Sequence, residues 1–81
     1  MKIYDYNGKK NISGEKIRQA RVKKRLTQDD LAAKMQIEGI IIERNSISRI
    51  ESGDRFIPDY ELPVFSRVLN VSIEWLLSSE E

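Results

Sequence analysis

Apolar residues recur along the chain in five short blocks with helical spacing, each bracketed by capping or stop residues. In the first block Ile17 and Ala20 face inward with Arg21 and the methylene stem of Lys24, which predicts a helix over residues 14–24. Ser13 stands as its N-cap, Ile12 as a hydrophobic staple and Glu15 in the first turn. The stripe is thin, and an arginine on its inner edge requires a partner. Leu26 follows as a buried anchor. Thr27 then caps a second helix over residues 28–38, with Asp29 and Asp30 in its first turn, Leu31, Ala32 and Met35 inward, and Gly39 as a left-handed stop.

Residues 40–42 are three isoleucines, too few for a helix and too isolated for a sheet, so an extended connector with one or two of them buried is expected. In the third block Ile47 and Ile50 stand three apart, with Arg44, Asn45, Ser48, Arg49 and Ser52 on the other sides and Gly53 as the stop. Such a helix docks by one stripe and shows a polar face to a partner. The loop at residues 54–57 is pinned by Phe56 and Ile57. A fourth helix starts at the Asp59 cap, carries Pro63 in its first turn, buries Leu62, Phe65, Val68 and Leu69, and stops at Asn70. Ser72 caps a fifth over residues 73–78, with Trp75, Leu76 and Leu77. The inventory is all-α, with no strands.

The 81 residues make one small domain. Residues 12–79 form it, behind an arm of residues 1–11 and ahead of an acidic tail at residues 80–81. The absence of cysteine and histidine removes disulfides, thiolate nucleophiles, imidazole bases and nearly all zinc chemistry, so no metal or cofactor is expected. The acids lie on helix surfaces with no metal set around them, which argues against an enzyme or a small-molecule substrate. No apolar run approaches the roughly 20 residues that cross a bilayer, and the N-terminus lacks a signal-like stretch, so a cytoplasmic location without a membrane partner is expected.

A net charge of +1 hides a division. Residues 1–28 hold nine Lys/Arg against two acids, a net of +7; residues 29–81 hold five against eleven, a net of −6. Either the first third makes a basic face for a polyanion, or the first helix is simply well solvated. The arm has the same ambiguity. Its Asn7-Gly8 is a turn signal, and it is disordered, lies back on the domain through Ile3 and Tyr4, or reaches a phosphate backbone with Lys9 and Lys10.

Three stretches match a known pattern: L-T-Q-x-x-L-A at residues 26–32, I-S-R-I-E-x-G at residues 47–53, and L-x-V-S-x-x-W-L-L at residues 69–77. In that order they resemble the helix-turn-helix domain of the lambda repressor and Cro family, of the xenobiotic-response-element type, with an ending similar to phage repressor domains. The resemblance implies a five-helix lambda-repressor-like fold whose second helix crosses the DNA backbone and whose third lies in the major groove. It places base reading on Arg44, Asn45 and Arg49. Arginine presents a fork to guanine O6 and N7, and asparagine pairs with adenine N6 and N7. For Arg44 and Arg49 the plain alternative is a solvated face paired with Glu43 or Glu51. Phosphate contacts are implied at Gln28, and at the backbone after Gly53 with Arg55; the flanking Ser46 and Ser48 touch phosphate or cap the helix. Arg21 and Glu51 match a structural ion pair between helices 1 and 3. Ile73, Trp75 and Leu77 match the dimer contact, with core burial the competing use of each and the usual one for Trp75.

The departures from the pattern are local. Gln36 stands where a glycine is usual, the segment from Leu31 to Ile47 is about five residues longer than the common form, and Glu43 replaces a Ser or Thr cap. Arg25 replaces a frequent glycine, which implies a left-handed conformation. Asp59 or Tyr60 stands where some relatives put a minor-groove arginine, so that contact does not carry over. The expected function is sequence-specific binding of double-stranded DNA by a transcriptional regulator, a repressor of phage or bacterial type, as a homodimer. The alternative is an antitoxin or adaptor that docks a protein on the isoleucines of residues 40–42.

Overall fold

The computed structural model describes residues 6–78. Five helices follow in order: α1 (Gly14–Lys23), α2 (Gln28–Ile37), α3 (Arg44–Ser52), α4 (Leu62–Leu69) and α5 (Ile73–Leu77). The described residues contain one isolated bridge, between Tyr6 and Lys9, and no strand. The fold is all-α, and none of these helices is long and apolar enough to cross a membrane. Ile3, Tyr4 and the acidic tail lie outside the described residues.

Four helices end on the same device. A left-handed residue just past the last turn sends its own N–H and that of the next residue back to carbonyls of that turn, satisfying acceptors the helix leaves orphaned. After α2 the residue is Gly39 (φ 92), with Ile40 N–H donating to Met35 O at 3.0 Å and Gly39 N–H to Gln36 O at 3.0 Å. After α3 it is Gly53 (φ 88), with Asp54 N–H donating to Arg49 O at 2.7 Å. Asn70 (φ 58) does the same after α4, and Arg25 (φ 59) after α1, where Leu26 N–H donates to Arg21 O at 3.1 Å. The left-handed arginine expected from the sequence is therefore present.

Ile17, Leu31, Met35, Ile47, Ile50, Phe65 and Leu76 are fully buried and form one core with Leu69 and Ile42. α3 lies between α1 and α2, while α4 closes the other side and carries α5. Val64 joins the buried face of α4, and Leu62 and Val68 pack at its edge.

The cap of α1 and the start of α4 depart from the sequence reading. Ser13 does not cap α1: its hydroxyl donates to Leu76 O at 2.7 Å, tying α1 to α5. Asn11 takes the role instead, its Oδ1 accepting from Gly14 N–H at 2.7 Å, and Ile12 is exposed. Lys24 lies outside α1 and is exposed, whereas Lys16 is buried with its ammonium 5.2 Å from the Trp75 ring centroid. α4 begins at Leu62 and not directly after Asp59, because Glu61 N–H closes a turn onto Pro58 O at 3.0 Å and the carboxylate of Glu61 is held by Arg55. Thr27 and Ser72 do cap, accepting from Asp30 N–H and Trp75 N–H at 3.0 Å each.

Candidate nucleic-acid interface

α3 is held from beneath by Ile47 and Ile50, both fully buried, and by Glu51. At about 100° per residue, Arg44, Asn45, Ser48, Arg49 and Ser52 then share one outward arc, and all five are exposed. Nine residues rise about 13 Å, a length and width that the major groove of B-DNA admits. Among the described residues, the ion pairs are Arg21–Glu51, Arg55–Glu61 and Arg67–Glu38, so neither Arg44 nor Arg49 is neutralised by one. Arg49 leans toward the helix end, with a guanidinium nitrogen 3.4 Å from Asp54 O. Ser46 is half-buried at the flank.

The angle of this helix is fixed by a polar knot under its C-terminal half. Arg21 donates through Nε to Glu51 Oε2 at 2.6 Å and through a terminal nitrogen to Oε1 at 3.0 Å, and its other terminal nitrogen donates to Leu26 O at 2.8 Å. The hydrogen bond it donates to Glu51 holds the Arg21 guanidinium pKa above its ordinary value, despite the opposing effect of burial. Gln28, expected at a phosphate, donates its side-chain amide to the same Glu51 Oε1 at 3.1 Å, so it also ties the start of α2 to α3. Through Glu51, Arg21 and Gln28 together link α1, α2 and α3.

A second anchor comes from the arm. Asn7 (φ 51) and Gly8 (φ 80) make the tight turn between Tyr6 and Lys9, whose backbones exchange two 2.8 Å hydrogen bonds. Lys10 N–H then donates to Gly53 O at 2.7 Å, and Asn11 Nδ2 donates to Ile50 O at 3.1 Å and Arg55 O at 2.8 Å. The arm thus sits on the C-terminal end of α3. Lys9 lies along Gly53, and the Lys10 ammonium is 5.8 Å from the Phe56 ring centroid. Lys9 and Lys10 therefore stand at the C-terminal end of α3, where the helix dipole is negative. Asn11 was missed by sequence reading, since its partners lie 39 and 44 residues away. Arg55, expected at a phosphate, forms a two-pronged pair with the buried Glu61 at 3.0 and 3.2 Å and steadies the loop.

Of the residues expected at a dimer contact, Ile73 and Trp75 are half-buried and Leu77 is 46% exposed. They share α5, which packs on α4. Trp75 also lines a shallow groove with Gln19, Lys23 and Val71.

A family model described as a helix-turn-helix domain matches residues 14–81. The chain belongs to this helix-turn-helix family. It is also similar to a protein of Enterococcus faecalis named an HTH-type transcriptional activator BcrR, with 39% identity over 67 residues. That match covers 83% of this chain and 30% of the relative, so the chain spans under a third of the relative's length. The matched residues of the family model begin at Gly14, leaving the arm outside them.

Proposed function

We propose that this domain binds double-stranded DNA in a sequence-specific way as the reading head of a transcription regulator. The observation that carries this is the outer face of α3: Arg44, Asn45 and Arg49 are exposed together on a helix whose inner face is buried and whose end is locked by Glu51. Arg44 and Arg49 present forks suited to guanine, and Asn45 an amide suited to adenine. Ser48, the edge of Ser46, the remaining amide N–H of Gln28, and Lys9 and Lys10 supply the phosphate contacts that set register, whereas Gly53 does not, since its N–H is spent on Ile50 O, that of Asp54 on Arg49 O, and its carbonyl on Lys10 N–H. Arg55 acts there by holding the loop through Glu61.

The domain works as a homodimer on half-sites about one helical turn apart. Ile73, Leu77 and the exposed edge of Trp75, all on α5, form the contact. Phage-type likeness favours repression, whereas the Enterococcus relative is named an activator. Both outcomes use the same docking of α3, and the site's position relative to the promoter decides between them. Selection of bound sequences from a random duplex pool tests the reading: a recurrent palindromic site supports it, and an unenriched pool refutes it.

A further inference from the structure

We propose that Ile41 contacts a thymine methyl group in the major groove and so helps set sequence preference beside Arg44, Asn45 and Arg49; this rests on α3 being the base-reading helix. The segment between α2 and α3 is longer than the family pattern, and it is held at both ends. Ile40 N–H donates to Met35 O at 3.0 Å, and the Gln36 side chain donates to Ile42 O at 2.8 Å. Ile42 is buried at 2% exposure, and Ile40 packs against the core. In an extended stretch successive side chains alternate in direction. Ile41 accordingly points outward at 91% exposure, between two anchored neighbours.

Its place along the chain supplies the partner. It stands three positions before Arg44, a reach of at most about 11 Å. α3 reads from its N-terminal end in the docking geometry of this motif, so Ile41 travels just ahead of the reading residues. A branched side chain with few rotamers has little freedom left to lose on contact. On the major-groove edges the thymine C5-methyl is the apolar feature that such a side chain can cover. Glu43, between Ile41 and Arg44, is exposed and makes no side-chain cap. A carboxylate there is repelled by phosphate but is accommodated by a base edge, where cytosine N4 donates. A lone exposed isoleucine is ordinary on a protein surface; a rigidly presented one at the entrance of a base-reading helix has a specific use.

The test uses the full chain and a DNA site recovered from the random pool, with each thymine replaced in turn by deoxyuridine, which removes only the methyl group. Wild type is expected to bind about fourfold more weakly at one such position per half-site, the factor that one buried methyl corresponds to. Ile41→Ala should bind the thymine site about fourfold more weakly than wild type and treat thymine and uracil alike at that position. Ile37→Ala, which removes the other strongly exposed isoleucine of this region, should keep the discrimination. Because Ile41 is exposed, its variant should melt as wild type does, which circular dichroism checks.

Discrimination that persists unchanged in Ile41→Ala overturns the proposal, as does a wild type indifferent to every thymine methyl. If discrimination persists while Ile41→Ala loses a stoichiometric protein complex, the residue is a docking contact instead. Loss of base preference in Arg44→Ala with unaltered thymine reading in Ile41→Ala removes only the role of Ile41. Equal affinity of wild type for all sequences removes the DNA-reading assignment with it.

Discussion

Arg21 and Glu51, 30 residues apart in sequence, meet at 2.6 Å beneath α3, with side chains 12% and 4% exposed. The pair is nearly dry and also receives Gln28, so removing Glu51 strands a guanidinium and an amide together. Glu51→Ala is expected to lower unfolding free energy by about 3–5 kcal/mol, as a broken buried pair does, and the urea midpoint measures it. Replacing both members with apolar residues of similar volume should recover much of that loss. The folded-state guanidinium pKa is raised, so the pair's contribution is complete below the ordinary arginine range and is lost only as pH rises through the folded value. The cost of Glu51→Ala should therefore be unchanged by moderately alkaline buffer.

Asn11 makes three hydrogen bonds that join the arm, α1 and the end of α3. At about 1 kcal/mol each, Asn11→Ala is expected to cost about 2–3 kcal/mol by chemical denaturation. It should also free the arm to proteolysis between Lys9 and Ser13 at lower protease concentration than wild type. Gly14 stands where α1 meets α3, and a Cβ there would overlap the Ile50 carbonyl oxygen, so Gly14→Ala should destabilise at least as strongly.

Arg25 holds φ 59 just after α1, in a conformation that costs an L residue about 1–2 kcal/mol. Its side chain is exposed. Arg25→Gly relieves that strain at the expense of a more flexible unfolded chain, for a net gain of about 0.5–1 kcal/mol. A higher melting temperature checks it; a lower one would mean that the arginine stem contributes packing that outweighs its backbone strain.

The capping box of α2 carries an acid dependence. Thr27 N–H donates to Asp30 Oδ2 at 2.9 Å, and this backbone hydrogen bond, with that of the Thr27 side chain, holds the Asp30 carboxyl pKa below its ordinary 3.8. The depressed value means that the stabilisation is present above 3.8 and fades as pH falls through the folded value. Asp30→Ala should therefore melt below wild type at neutral pH, and the two should converge in strong acid.

Helix ends were legible because each rests on one local residue. Gly39, Gly53, Asn70 and even Arg25 occupy left-handed positions that a stop requires. The starts of α2 and α5 were legible in the same way at Thr27 and Ser72; the cap of α1 was not, since Ser13 turns its hydroxyl to Leu76 O and the cap comes from Asn11, whose other bonds reach α3 and the following loop. Lys16 gave no sign of burial because its cover, Trp75, lies on another helix. Spacing put Arg44, Asn45 and Arg49 on one face without any tertiary information, since a helix of this length with buried Ile47 and Ile50 has a single outer side. Arg55 and Gln28 read as phosphate contacts by position alone, while their side-chain partners Glu61 and Glu51 become visible only once α4 and α3 are packed.

The central claim is that α3 reads bases while its surroundings hold phosphate. The measurement that bears on it most directly is the affinity of wild type, Arg44→Ala, Arg49→Ala and the Lys9→Ala/Lys10→Ala pair for a selected site and for its single-base variants, each over a range of salt. The arginine variants should lose about 1–3 kcal/mol on the selected site and become indifferent to one base position each. The lysine pair should weaken all sequences alike and shallow the salt slope by about 2. Arginine variants that keep the wild-type pattern of base preference would contradict the assignment of α3 as the reading helix.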